Sequence, residues 1–149
     1  MTSSGLLQYY FTVILIFFAD RISKMYALSN CLYTPYVIND YLSFVTEFNQ
    51  GSSLGILSGS SYFEKLFLLI GPLIPIFLLC MYHLKKNTFA CLLIIAGGFS
   101  NLYDRVMYSG VIDFILLSIG NNSFPLFNIA DLSISLGAII LFYQLVYDV

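Results

Sequence analysis

Charge is scarce in this sequence. Of 149 residues, eight are acidic and six basic, so charged side chains make up 9%. Water-soluble domains carry roughly 25%, and a soluble chain of this size could not clothe its surface with so few. The net charge of −2 supplies no basic face and excludes nucleic acid as a partner. Histidine occurs once, at His83, and it falls at the far end of a predicted span from the polar cluster described below. That removes Ser-His and Cys-His nucleophiles. The zinc-protease spacing H-E-x-x-H is absent as well. The three cysteines, Cys31, Cys80 and Cys91, form no C-x-x-C pair, so neither a disulfide framework nor a metal knuckle is indicated. There is no P-loop. Gly97-Gly98 is too short for a dinucleotide fingerprint and suits close helix packing instead.

Apolar length is what the sequence has in quantity: 59% of its residues are hydrophobic. A helix needs about 20 largely apolar residues to cross the hydrocarbon core of a bilayer. Four stretches meet that need, near residues 6–26, 62–83, 88–107 and 128–147. Pro72 and Pro75 fall inside the second, where a bend is expected. The first lacks the basic leader and small-x-small site of a cleaved signal and runs on into Asp20-Arg21-Ile22-Ser23-Lys24, so it reads as a span. The expectation is a single integral membrane domain over residues 1–149.

The connection after the second span carries Lys85 and Lys86 and no acid. The long connection 29–61 carries Asp40 and Glu47 and no base. Positive charge stays in the cytoplasm, which puts both termini inside and residues 29–61 outside. Tyr82, Tyr143 and Tyr147 suit the interfaces. Residues 36–48 alternate apolar and polar in places, as a short strand or hairpin lying on the membrane would.

With that orientation the charges fall at one end. Asp20 and Lys24 come late in the first span; Asn101, Asp104 and Arg105 come late in the third. Asn128 and Asp131 come early in the fourth, and Asp113 lies in the outer connection. Charged groups at membrane depth are functional candidates. The bland reading is a polar clasp, with Asp20–Lys24 and Asp104–Arg105 as structural pairs. Asp113 and Asp131 lack a basic partner of their own. Four acids face three bases (Arg21, Lys24, Arg105), so one proton shared between two carboxylates balances the cluster. Adjacent carboxylates cannot easily both ionise, and such a pair can activate water. The rival class is a small transporter or proton relay. A relay needs polar groups through both halves of the membrane, and the inner half here is nearly bare.

Five blocks, in order, resemble those of the lipoprotein signal peptidases (signal peptidase II), the membrane aspartic peptidases of bacterial lipoprotein maturation. Asp20-Arg21-Ile22-Ser23-Lys24 is similar to D-x-x-[ST]-K. Residues 48–55, Phe-Asn-Gln-Gly-Ser-Ser-Leu-Gly, are similar to F-N-x-G-A-A-F-G. Residues 97–105 resemble a G-G-x-x-G-N-x-x-D-R shortened by one position, residues 110–114 a contracted G-x-V-x-D-F, and residues 127–131 F-N-x-A-D. The resemblance implies an all-α membrane fold, a four-helix transmembrane bundle with a small extracytoplasmic β-cradle. It implies an endopeptidase that cuts diacylglyceryl-modified prolipoproteins before the lipidated cysteine. Asp113 and Asp131 would be the catalytic pair. Asn49, Asn101, Arg105 and Asn128 would line the substrate site, with Asp20, Lys24, Gly51 and Asp104 supporting it. No metal or other cofactor is implied. The expected partners are lipid-modified prolipoproteins and membrane lipids, and the expected form is a monomer in the bacterial inner membrane with its site near the outer face. Three features depart from the family pattern: Ser100 stands where glycine is usual, Ser52-Ser53-Leu54 replaces Ala-Ala-Phe, and there is no tryptophan.

Overall fold

The computed structural model describes residues 3–50 and 88–147. The expected second span, Gly51, Ser52-Ser53-Leu54, Cys80, Tyr82, His83, and the lysines that oriented the chain (Lys85 and Lys86) lie outside those residues. Three helices are described: α1 (Ser3–Asn30), α2 (Thr88–Tyr108) and α3 (Ile129–Tyr147). They match the expected first, third and fourth spans closely. At 1.5 Å per residue, 28 residues of α1 extend about 42 Å. Among the described residues one helix segment, Phe89–Tyr108, is long and apolar enough by itself to cross a membrane. The apolar run of α3, Ile129–Gln144, is shorter.

The helices are polar inside and apolar outside. Leu7, Phe11, Leu15, Phe18 and Ile22 of α1 and Leu132, Leu136, Ile139 and Phe142 of α3 face outward, while Asp20, Lys24 and Asp104 are fully buried. Water-soluble domains show the reverse, keeping Lys and Asp at the surface. In hydrocarbon the outward cost belongs to charge, so the inversion is what a membrane selects. A small apolar core of Ala90, Cys91, Ile94 and Leu141 joins α2 to α3 away from the polar end. Glycine brings the two helices close: a Cβ on Gly137 would lie 2.7 Å from the Ala90 carbonyl oxygen, and one on Gly97 would collide with that of Ala130.

The outer connections form an antiparallel sheet in the order β1-β2-β3-β4. Its strands are β1 (Tyr36–Val37), β2 (Leu42–Asn49), β3 (Val111–Ile119) and β4 (Asn122–Ser123). The alternation of residues 36–48 thus resolves into a hairpin. Asn39 turns it, its Oδ1 accepting the N–H groups of Tyr41 and Leu42, as an Asx turn does. The register slips between Phe44 and Glu47, a bulge that breaks the simple alternation. At that point Thr46 ties the sheet to the end of α1: its N–H donates to Cys31 O and its hydroxyl to Ala27 O.

Asp113 lies in the connection between α2 and α3, as expected, and there it sits in β3, the longest of these strands. Val111–Ile119 is a nine-residue, largely apolar run ahead of Gly120. Such a run, bounded by turn signals, is of strand length. Ser109 leaves α2 in the left-handed conformation (φ 59°), a common helix stop. Gly120 (φ 59°) opens the two-residue turn into β4 at little steric cost.

Candidate active site

The sheet lies at the end of the bundle where α1 and α2 finish and α3 begins. There the polar side chains converge into two layers.

The lower layer is a closed ionic network. Lys24 Nζ lies 2.7 Å from Asp20 Oδ2 and 2.7 Å from Asp104 Oδ2, and it donates to Asn101 Oδ1 at 2.9 Å. Arg21 Nη1 pairs with Asp104 Oδ1 at 2.6 Å, off the axis of a hydrogen bond. The Arg21 guanidinium also sits 5.0 Å from the Tyr103 ring centre. Two acids and two bases thus neutralise one another in a buried setting, where an unpaired charge would be very costly. The expected Asp20–Lys24 pair is present. The expected Asp104–Arg105 pair is not: Asp104 turns to Arg21 and Lys24. Neighbouring helix residues point about 100° apart, so an i, i+1 pair cannot share a partner-facing side. Arg21, absent from the expected site residues, is the base the sequence reading failed to match to Asp104.

The same network starts α3. Asp20 Oδ1 accepts the N–H of Ala130 at 2.9 Å, across 110 residues of sequence. The carboxylate therefore meets one of the unpaired donors at a helix N-terminus, where negative charge is also favoured by the helix dipole. Asn128 and Asp131 supply the rest. Asn128 Oδ1 accepts from Asp131 N at 2.9 Å, and Asp131 Oδ2 accepts from Asn128 N at 3.2 Å. This is a reciprocal capping box, and the N-x-x-D spacing that signals it was available in the sequence.

The upper layer holds the two remaining acids. Asp113 Oδ1 accepts from Asn128 Nδ2 at 2.6 Å, and its Oδ2 accepts from Asn49 Nδ2 at 2.9 Å. Asp131 Oδ1 accepts from Asn101 Nδ2 at 2.8 Å. Asn101 is thus the hinge between layers: its oxygen takes Lys24 and Asn128 while its nitrogen serves Asp131. Asn128 touches both carboxylates, one through its side chain and one through its backbone. β3 is held in place from α2, since Ile112 N donates to Asp104 Oδ2 at 3.2 Å.

Burial and the Asp131 charge both raise the proton affinity of Asp113; its hydrogen bonds and Lys24 oppose them. Burial is the largest effect, and the carboxyl is pushed up to about 6. Arg105 is the base left outside the lower network. Among the described residues no carboxylate lies at ion-pair distance from it, and the acids that act on it through space are Asp131, Asp113 and Asp104. Two acids therefore share one base. Among the described residues no three His, Cys, Asp or Glu side chains are grouped as a metal ion would need.

The structure brings Asn49, Asn101, Asp113, Asn128 and Asp131 into one hydrogen-bonded cluster, with Asp20, Lys24 and Asp104 beneath it and Arg105 acting on it through space. Gly51 is outside the described residues. Besides Arg21, the sequence reading gave no role to Ser100, whose burial needed the tertiary structure to see.

Known proteins resemble this chain over most of its length. Residues 12–147 match the family model described as Signal peptidase (SPase) II. A lipoprotein signal peptidase of Polynucleobacter necessarius subsp. necessarius is 34% identical over 149 residues, covering 96% of this chain and 91% of the relative. One from Pseudomonas syringae pv. tomato is 37% identical over 151 residues, covering 94% and 86%. A solved bacterial membrane enzyme superposes with a TM-score of 0.78 at 30% identity, covering 95% of this chain and 94% of that one.

Proposed function

The chain belongs to the signal peptidase II family of aspartic peptidases, and from that premise we propose that Asp113 and Asp131 are the dyad with which it cleaves lipoprotein precursors. Its activity is that of a lipoprotein signal peptidase, and it is a bacterial membrane enzyme.

The observation that carries the assignment is the charge balance. Asp20 and Asp104 are spoken for by Arg21 and Lys24. Asp113 and Asp131 meet at Asn128 with Arg105 as the remaining base. One proton on the pair makes the whole cluster neutral, and burial favours that neutral state. The ionised member then takes a proton from water as the water attacks the scissile carbonyl. The protonated member donates to the carbonyl oxygen, giving a gem-diol that collapses with proton return to the leaving nitrogen. The two carboxyls titrate as a pair, so neither role is fixed to one residue. Asn49, Asn101 and Asn128 hold the carboxylates in place, and Arg105 keeps the dyad from binding a second proton.

In this reading the four spans cross the bilayer with both termini in the cytoplasm, and the sheet lies on the outer face as a cradle. The enzyme works as a monomer on diacylglyceryl-modified precursors, whose acyl chains remain in the bilayer and fix the depth of the scissile bond. The bond is then presented at the outer end of the bundle, where water is available, just before the lipidated cysteine. Gly51 is assigned a supporting role by its place in the family motif alone.

The test is cleavage of a synthetic diacylglyceryl lipobox peptide by the purified protein. Asp113→Asn and Asp131→Asn are each expected to lose activity while remaining folded. General acid and general base assistance are each worth about 10²–10⁴. A folded variant that cleaves at the normal rate overturns the assignment.

A further inference from the structure

We propose that Ser100 is a positioning residue of this site, acting through Asp20 on the first turn of α3. The inference rests on the reading of Asp131 as one of the dyad.

Ser100 is fully buried in α2, one residue before Asn101. A serine within a helix commonly bonds back to the carbonyl four residues earlier. This one reaches across to α1. Its hydroxyl donates to Asp20 Oδ2 at 2.6 Å and accepts from Arg21 Nε at 3.2 Å. Donor and acceptor are both spent on consecutive residues of the neighbouring helix.

The consequence lies at the other oxygen of the same carboxylate. Oδ1 and Oδ2 of Asp20 turn together about one bond. The Oδ1 atom holds the N–H of Ala130, the residue before Asp131. Of the remaining donors to Oδ2, Lys24 is at 2.7 Å and gives its other N–H groups to Asp104 and Asn101, and Arg21 Nη2 is at 3.4 Å. Ser100 is therefore one of two short contacts that set the rotation of the Asp20 carboxylate, and the one that comes from α2. That rotation aims Oδ1 at the start of α3. Glycine, which the family motif carries here, has no hydroxyl to offer. In this chain the side chain adds a strut from α2 through α1 to α3.

The Ser100 side chain is fully buried and bonded to α1, so its loss should lower turnover and spare substrate binding. The test uses the full-length protein in lipid nanodiscs, with kcat and KM for the synthetic lipopeptide expressed per folded molecule. Ser100→Ala keeps helix propensity and removes only the hydroxyl. It is expected to fold, to keep KM within about twofold, and to lose about tenfold in kcat, the worth of one short hydrogen bond to a charged group. The amide resonance of Ala130 in isotope-labelled protein is expected to shift with it. Wild-type kcat per folded molecule, or an unmoved Ala130 amide, overturns the proposal. Asp131→Asn run alongside separates the two ideas: if that variant is active, the dyad assignment has failed, whereas an inactive Asp131→Asn beside a fully active Ser100→Ala refutes the strut alone.

Discussion

Replacing Asn128 separates the capping of a helix from the ordering of a catalytic pair. The Asn128 side chain does both at once. Its oxygen accepts the Asp131 N–H, and its nitrogen donates to Asp113 Oδ1 at 2.6 Å. In Asn128→Ala the cap is lost, at about 1 kcal/mol, and a short hydrogen bond to a carboxylate is lost, at about 1.5–3 kcal/mol. The expected fall in stability is roughly 2–4 kcal/mol, and the expected fall in kcat, from the second contribution alone, is about ten- to a hundredfold at 1.36 kcal/mol per decade. Asn128→Ser divides the two. Serine is a good N-cap and can still accept from Asp131 N, but its hydroxyl is too short to reach Asp113. It should regain about 1 kcal/mol of stability and none of the rate. Unfolding in detergent and cleavage of the lipopeptide, measured on the same preparations, read the two quantities. If serine recovers turnover in step with stability, Asn128 is a cap and nothing more, and the bridging role is wrong.

The other predictions concern pH, the ionic layer and the helix contact. Asp113 keeps its proton to about 6, above the ordinary 3.8, so the folded protein binds more protons than the unfolded chain between those values, and its contribution to stability falls as pH rises through that window. The rate should likewise decline as pH rises past about 6 and the dyad loses its proton. Asn49→Ala removes a hydrogen bond that favours the charged form and should move this alkaline limb upward; a downward shift in the pH–rate profile contradicts the account. Lys24→Met leaves Arg21 as the one base for two buried carboxylates and should cost about 3–5 kcal/mol, seen as a large drop in melting temperature. Gly97→Ala drives a Cβ into the Ala130 carbonyl, displacing the start of α3, so turnover should fall at least tenfold while most of the protein stays folded; unchanged kinetics would show that α3 has room to move.

Much of the site was legible because a membrane makes charge conspicuous. With so few ionisable residues, each one inside an apolar stretch stood out, and Asp20, Lys24, Asn101, Asp104, Asp113, Asn128 and Asp131 could be listed from spacing and depth. The hairpin of residues 36–48 was visible in its alternation. What spacing could not supply was the pairing. Asp104 was matched to its neighbour Arg105, yet it binds Arg21 and Lys24 of another helix. Ion pairing follows distance in space, and adjacent helix residues diverge. Asp113 lies in the connection between α2 and α3, as span boundaries imply, but that the connection is a strand follows only from the length of the apolar run around it, which forms β3.

The chain's composition, by itself, determined that this is a membrane protein with its polar groups gathered at one end. Apolar length sets how much chain can lie in hydrocarbon, and each buried charge must then be used or neutralised. The tertiary structure alone decided which acids meet a base at ion-pair distance and which do not. Asp20 and Asp104 became structural because Arg21 and Lys24, on the same helix as Asp20, also reach Asp104 across the α1–α2 contact. Asp113 and Asp131 are the proposed pair because a strand and a helix start are brought to the same asparagine. Charge in a sequence can be counted, but whether a carboxylate keeps its proton depends on what stands a few ångströms away, and that is set only when distant segments pack.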